Sequence, residues 1–120
     1  MKSFARYTLV GAIATAVHYA LLALCVEIGH WQAHWASGFG AIVGAQVAYL
    51  GNRWYTFAHR GSLGPSWAKF QFTAALGALQ GMAVVWVAVR SGWHYIAAQV
   101  LATLLSLVLT YAINRAWSFR

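Results

Sequence analysis

The sequence predicts an all-α membrane protein: four transmembrane helices forming two tandem helical hairpins, a parallel internal repeat with both termini in the cytoplasm. Three observations lead there. Hydrophobic residues make up 62% of the 120-residue chain, and Glu27 is its only acid, a composition too apolar to cover a soluble globule with polar surface. The apolar residues fall into four runs, each near the ~20 residues that span a hydrocarbon core as helix. Finally, Asn52-Arg53-Trp54-Tyr55-Thr56-Phe57 returns at the end of the chain as Asn114-Arg115-Ala116-Trp117-Ser118-Phe119.

The first run, Tyr7–Ile28, follows the cations Lys2 and Arg6. It is too long for the core of a secretory signal and is expected to remain as an anchor. Leu22-Ala23-Leu24-Cys25 matches a lipoprotein cleavage box only loosely, because a bulky Leu stands directly before the Cys. As the single cysteine, Cys25 excludes an intrachain disulfide and reads as a small buried hydrophobe. The other runs are Ala33–Gly51, Trp67–Val89 and Trp93–Ile113, with tight turns at Gly29-His30-Trp31-Gln32 and Arg90-Ser91-Gly92. Residues 58–66 hold the only proline and read as a polar cytoplasmic linker. Residues 1–120 are thus one four-span domain, with repeat unit 1 at 1–57 and repeat unit 2 at 67–120.

Of the eight Lys and Arg residues, all but Arg90 fall on one side of this arrangement, which the positive-inside rule makes cytoplasmic. The net charge of +7 is spread between apolar runs rather than gathered on a basic face, so nucleic acid is not an expected partner. Tryptophans mark the span ends as interfacial belts require: Trp31, Trp35 and Trp93 outside, Trp54, Trp67 and Trp117 inside. Trp86 lies deeper and has no part in this pattern.

Residues 31–57 align on 93–119 without a gap, at an offset of 62, pairing Trp31 with Trp93, Ala36 with Ala98 and Tyr49 with Tyr111. Arg6-Tyr7 faces Lys69-Phe70 at an offset of 63. Because each unit holds two spans, the second enters with the orientation of the first, and the repeat is parallel rather than inverted. Ala36, Gly40, Gly44 and Ala48 form a ridge of small residues that recurs as Ala98, Ala102, Ser106 and Thr110, and Gly77 and Gly81 make a further pair. Such ridges let helix backbones approach closely in lipid. The expectation is internal packing of the second and fourth spans, together with a homodimer or higher homo-oligomer, because four thin helices enclose little interior.

No set of groups supports an enzyme. Glu27 stands alone, and cysteine, histidine and acid never meet at metal spacing. The spacing of His30 and His34, four apart, could put both on one helical face, but with only two ligands they read as interfacial polar residues at an outer helix start, and neither a metal nor another cofactor is expected. His18 lies about twelve residues past Arg6, ~18 Å along a helix and near the bilayer midplane. Gln80 reaches a similar depth beyond Lys69. Polar groups at that depth face protein or a wet cavity; they either line a substrate route or make an interhelical hydrogen bond as packing glue. Glu27, near the outer boundary, reads as interfacial.

The repeated Asn-Arg pair is the sharper signal. An arginine fork at headgroup level matches a phosphate bidentately, and the adjacent amide adds donors. Arg53 and Arg115, with Arg6 and Lys69 at the same level, form a ring of four cations beside Asn52 and Asn114. Contact with anionic lipid and positive-inside topology are the alternative reading. Topology alone requires only charge, which lysine would supply.

On these residues the chain resembles the GtrA-like family, small four-span proteins also related to the membrane domain of some dolichol phosphate mannose synthases. The matching features are Arg6-Tyr7-Thr8-Leu9-Val10-Gly11 with Thr15 and His18, then both Asn-Arg motifs and the restart Lys69-Phe70. Ala116 and Gly81 depart from the pattern, where an Arg or another polar residue often stands. The resemblance implies a translocase (flippase) or carrier of polyprenyl-phosphate-linked sugars for cell-surface polysaccharide biosynthesis in the inner membrane of a bacterium. Its alternative is a non-transporting scaffold that anchors a polyprenyl-phosphate glycosyltransferase. In a translocase, Arg6, Asn52, Arg53, Lys69, Asn114 and Arg115 would hold the lipid phosphate, Tyr55 and Trp117 would contact the sugar, and His18 and Gln80 would line its route. The implied partners are the polyprenyl-phosphate sugar, a membrane glycosyltransferase and further copies of the chain. A cation exporter would need a carboxylate within the membrane, and Glu27 lies at a span's end.

Overall fold

The computed structural model describes residues 2–56 and 64–113, with the side chains of 2–4, 7, 55–56, 64–66, 110–111 and 113 outside that description. Four α-helices follow one another: α1 (Lys2–Glu27), α2 (Ala33–Gly51), α3 (Gly64–Arg90) and α4 (Tyr95–Ile113). No strand occurs among the described residues. The α2 boundaries coincide with the second apolar run, whereas α1 and α3 begin before theirs, in the flanking polar residues.

Local chemistry fixes both hairpin turns. α3 ends in a Schellman motif in which Gly92, at φ +99°, lets its own N–H reach Val89 O and the Trp93 N–H reach Ala88 O, each at 3.0 Å. Across that turn the His94 side chain caps α4, its Nδ1 accepting the Ile96 N–H at 3.1 Å. The other turn is wider: Gly29 N–H donates to Leu24 O, Trp31 N–H to Cys25 O, and His30 takes φ +57°. At its far end α2 does not stop where the Asn-Arg motif begins. It runs into a π-helical turn, Asn52–Thr56, and the Asn52 N–H is directed at Ala48 O and Tyr49 O.

Small residues determine how the helices meet. Gly40 and Gly44 are buried, and a Cβ on Gly40 would lie 2.8 Å from His18 O, one on Gly44 3.0 Å from Ala14 O. The α1 backbone therefore rests against bare α2 backbone. Gly38 seats Met82 of α3 in the same way. Val85, Ala88, Ala98 and Ala102 form the α3–α4 core, backed by Ala33 and Val84. Thus the ridge positions Ala36 and Ala98, both at 0% exposure, face inward as expected.

Large apolar side chains do the opposite. Leu9, Ile13 and Leu24 on α1, Phe72 and Leu79 on α3, and Leu104, Leu107 and Val108 on α4 are exposed. Small-in and large-out is the distribution expected where the surrounding solvent is hydrocarbon. By length and mean hydropathy, Thr8–Glu27 of α1 and Trp67–Arg90 of α3 suffice to cross a membrane, and α4 adds the shorter apolar stretch Tyr95–Leu109. α2, whose apolar residues are interrupted by His34, Ser37 and Gln46, does not reach that mean hydropathy.

Placing a branched side chain on this seam should separate α1 from α2. Gly40→Val and Gly44→Val are each expected to lose about 1–3 kcal/mol through overpacking, read as a drop in resistance to unfolding in mixed micelles. Gly11→Ala, where a Cβ meets nothing within 4 Å, should leave stability unchanged or slightly higher.

Candidate functional site

The glycines and alanines that draw the helices together also leave a cleft of about 380 Å³ along the bundle axis, with walls from all four helices. His18 enters it from α1, facing the gap at Gly40 and Gly44. Gln80 enters from α3, beside Gly77 and Gly81. The structure thus brings together the two polar residues that sequence depth singled out. Each keeps one buried atom without a hydrogen-bond partner, His18 Nε2 and Gln80 Oε1. The Gln80 amide nitrogen donates to Ala102 O at 3.5 Å, a long bond. Interhelical bonding therefore accounts for only part of the Gln80 side chain.

Beside them runs a hydrogen-bonded line that ties three helices. Ser37 of α2 donates its hydroxyl to Gln99 Oε1 of α4, and Gln99 Nε2 donates to Thr103 Oγ1 at 3.3 Å. The Thr103 hydroxyl then pairs with that of Tyr19 on α1 at 2.8 Å. Ser37 and Gln99 are 1% and 2% exposed, so each would carry a full desolvation cost if left alone. Gln46 and Gln71 make a separate reciprocal amide pair between α2 and α3, at 2.7 and 3.0 Å. Sequence reasoning passed over these residues. The depth rule that found His18 and Gln80, applied to every polar residue inside an apolar run, would have found Gln46, Gln71 and Gln99.

At one end of the bundle the Val10 side chain packs on Gly51 and the rings of Tyr49 and Phe70 meet at 5.1 Å. These contacts set the first turns of α1 and the start of α3 beside the π-turn, so Arg6, Asn52, Arg53 and Lys69 share that end. Arg6 and Lys69 are exposed. Arg53 is half-buried, and its Nε and Nη1 are buried with no hydrogen-bond partner. Tyr55 lies in the π-turn, with its side chain outside the described residues, and Asn114, Arg115 and Trp117 fall outside them altogether.

The other end is chemically plain. Glu27 is exposed and accepts the Tyr95 hydroxyl at 2.8 Å, leaving it as an outer tie between α1 and α4. Arg90 stacks 4.6 Å from the centroid of the Trp86 ring, which gives that deeper tryptophan a role as a cation–π partner. Among the described residues no group of three or more His, Cys, Asp or Glu could hold a metal ion. The arrangement is a guanidinium with free donors at one rim and an uncharged, hydrogen-bonding cleft behind it. Such a pairing suits a ligand with an anionic group and a hydroxyl-rich group.

Comparison with known proteins fits this chemistry. The family model described as GtrA/DPMS, transmembrane domain, matches residues 6–119. The chain belongs to this family. As a GtrA/DPMS domain it is a membrane protein. It is 26% identical over its full length to a bactoprenol-linked glucose translocase of Shigella phage SfX, covering 97% of that protein. It is also 28% identical over 57 residues, 48% of each chain, to a prophage bactoprenol-linked glucose translocase homolog of Escherichia coli K12. No solved structure matches the chain significantly.

The Gln46–Gln71 pair gives a test of the packing that is separate from the cleft chemistry. Gln46→Leu and Gln71→Leu should each cost about 0.6–1.7 kcal/mol, and the double variant should cost less than the two together. A double-mutant cycle of unfolding in mixed micelles measures that coupling.

Proposed function

We propose that this GtrA/DPMS domain is a non-enzymatic translocase that carries a polyprenyl-phosphate-linked sugar across the inner membrane of a bacterium for cell-surface polysaccharide biosynthesis. The observation that carries the reading is Arg53, whose guanidinium holds two buried donors without a partner in the π-turn that continues α2, one of the walls of the cleft. Buried donors left without a partner are costly. That cost is offset when a phosphate arrives and takes the fork bidentately.

In this mechanism Arg53, with Asn52, Arg6 and Lys69 around it, captures the lipid phosphate. Asn114 and Arg115 supply the matching corner from the second repeat, and Tyr55 and Trp117 contact the sugar. The sugar then passes along the cleft by His18 and Gln80, while the polyprenyl tail stays in lipid, where it loses nothing. Protein groups replace the headgroup's water during the crossing, and exposure of those polar groups to hydrocarbon is what makes uncatalysed crossing slow. The names of the relatives, both translocases or translocase homologs of a bactoprenol-linked sugar, support the same reading.

The reading includes four spans with both termini inside. The gathering of every Lys and Arg except Arg90 on one side supports it. It also includes descent from a doubled hairpin. Ser37 and Gln99, bonded to each other, stand 62 residues apart, the offset that aligns the two halves. A membrane glycosyltransferase supplies the sugar-loaded lipid, and the chain works as a homo-oligomer.

Reconstitution tests this directly. Purified protein in vesicles should speed transbilayer movement of polyprenyl phosphate glucose. Arg53→Lys and Arg115→Lys, which keep charge and lose the fork, should slow it at least about tenfold. Movement equal to that of protein-free vesicles, or lysine variants as fast as wild type, would instead favour a scaffold for the glycosyltransferase. Arg53→Met should lose lipid-phosphate binding and yet gain stability in the empty protein, because it removes two unpartnered buried donors; thermal unfolding with and without polyprenyl phosphate shows both effects.

A further inference from the structure

We infer that the deep end of the cleft is a transit site selective for an uncharged sugar, read by Gln80 and His18 against the Ser37–Gln99–Thr103 line. This inference deepens the translocase reading and rests on it. The chemistry comes from two atoms. Gln80 Oε1 can only accept a hydrogen bond, and His18 Nε2 donates or accepts according to its tautomer; both are buried and unpartnered. A sugar hydroxyl is donor and acceptor at once and satisfies either state of the imidazole. A carboxylate cannot donate to Gln80 Oε1 and would face that oxygen with its own charge.

Charge gives the same answer. None of the described residues lining the cleft is Asp, Glu, Lys or Arg, so a uronate would enter without a counter-ion and an ammonium sugar without an acid. The acid of the chain, Glu27, is held by Tyr95 at the outer end. Uncompensated charge at this depth is strongly disfavoured. Size is compatible with a sugar, since about 380 Å³ lies within the ~300–1,000 Å³ typical of small-molecule sites.

Position separates this site from phosphate capture. His18 lies ~18 Å along α1 from Arg6 at the rim, farther than one sugar reaches from its own phosphate. The deep site therefore holds the sugar in mid-crossing, after the phosphate has left Arg53. Its wall includes Ser37, Gln99 and Thr103, which are bonded to one another, while Gln80 Oε1 and His18 Nε2 keep no partner.

Photoaffinity labelling in nanodiscs tests the assignment without requiring transport. The probe is polyprenyl phosphate glucose with a diazirine on the sugar. Wild-type protein should be labelled in α3 near Gln80 and in α4 near Gln99, besides the rim. Excess polyprenyl phosphate glucose should compete at the deep positions at least about tenfold better than polyprenyl phosphate glucuronate. Gln80→Leu and His18→Phe should each cut deep labelling about tenfold and leave rim labelling in place, which also reports that the variants are folded. Label confined to the rim, or glucuronate competing as well as glucose, overturns the inference in the wild type alone. Deep, glucose-selective labelling in a protein that moves no lipid across vesicles would refute the translocase reading and leave the sugar site standing.

Discussion

The bundle depends on the bare backbone of α2 at Gly40 and Gly44. In hydrocarbon no hydrophobic effect drives helices together, so dispersion between closely apposed surfaces must do it, and that attraction fades within an ångström of extra separation. A Cβ at either glycine would stand at or inside 3.0 Å of an α1 carbonyl oxygen, which shows how little room the seam leaves. The same seam positions His18, because the side chain passes through the space the glycines vacate. Packing and site are thus one arrangement: moving α1 outward would loosen the helix pair and withdraw the imidazole from the cleft.

Polar groups inside the bundle fall into two kinds. Ser37, Gln99, Thr103 and Tyr19 satisfy one another, as do Gln46 and Gln71, and by closing their own hydrogen bonds they tie helices at modest gain. Arg53, His18 and Gln80 each retain buried atoms without partners. Native interiors satisfy most such atoms, so exceptions mark strain or use. Here the exceptions are not scattered. One is the guanidinium at the rim, and the other two share the cleft that lies behind it.

Much of the fold could be read from residue order, because lipid simplifies the code. Helix α2 matched its apolar run at both ends, and the ridges through Ala36 and Ala98 pointed inward, since small residues in a membrane helix have few other uses. The π-turn at Asn52–Thr56 was not legible. The motif had every mark of a helix leaving the bilayer, and whether a backbone widens its last turn depends on contacts with α1 and α2 that the local sequence does not contain. Depth along a helix was enough to find His18 and Gln80. Applied to every polar residue in an apolar run it would also flag Gln46, Gln71 and Gln99, but not which groups they bond, because that depends on which helix faces meet. The second Asn-Arg corner, Asn114 and Arg115, lies outside the described residues, so it remains a reading of the sequence.

The hydrogen bonds joining α1 to α4 show how a headgroup and its tail could part company in the proposed crossing. Among the described residues these ties, Tyr19 to Thr103 and Glu27 to Tyr95, lie in the half of α1 farther from Arg6. Toward the rim, Thr8, Leu9, Ala12 and Ile13 of α1 are exposed, Gly11 has open space where a side chain would be, and Leu104, Leu107 and Val108 of α4 face outward. In the proposed crossing those apolar flanks would lie against the isoprenoid chain, beside the cleft. The tail then needs no path through the protein, and the helices have to cover only the short anionic and hydroxylated part that hydrocarbon rejects. The cost of the proposed crossing resides in the headgroup, so the length of the tail would make little demand on so small a chain.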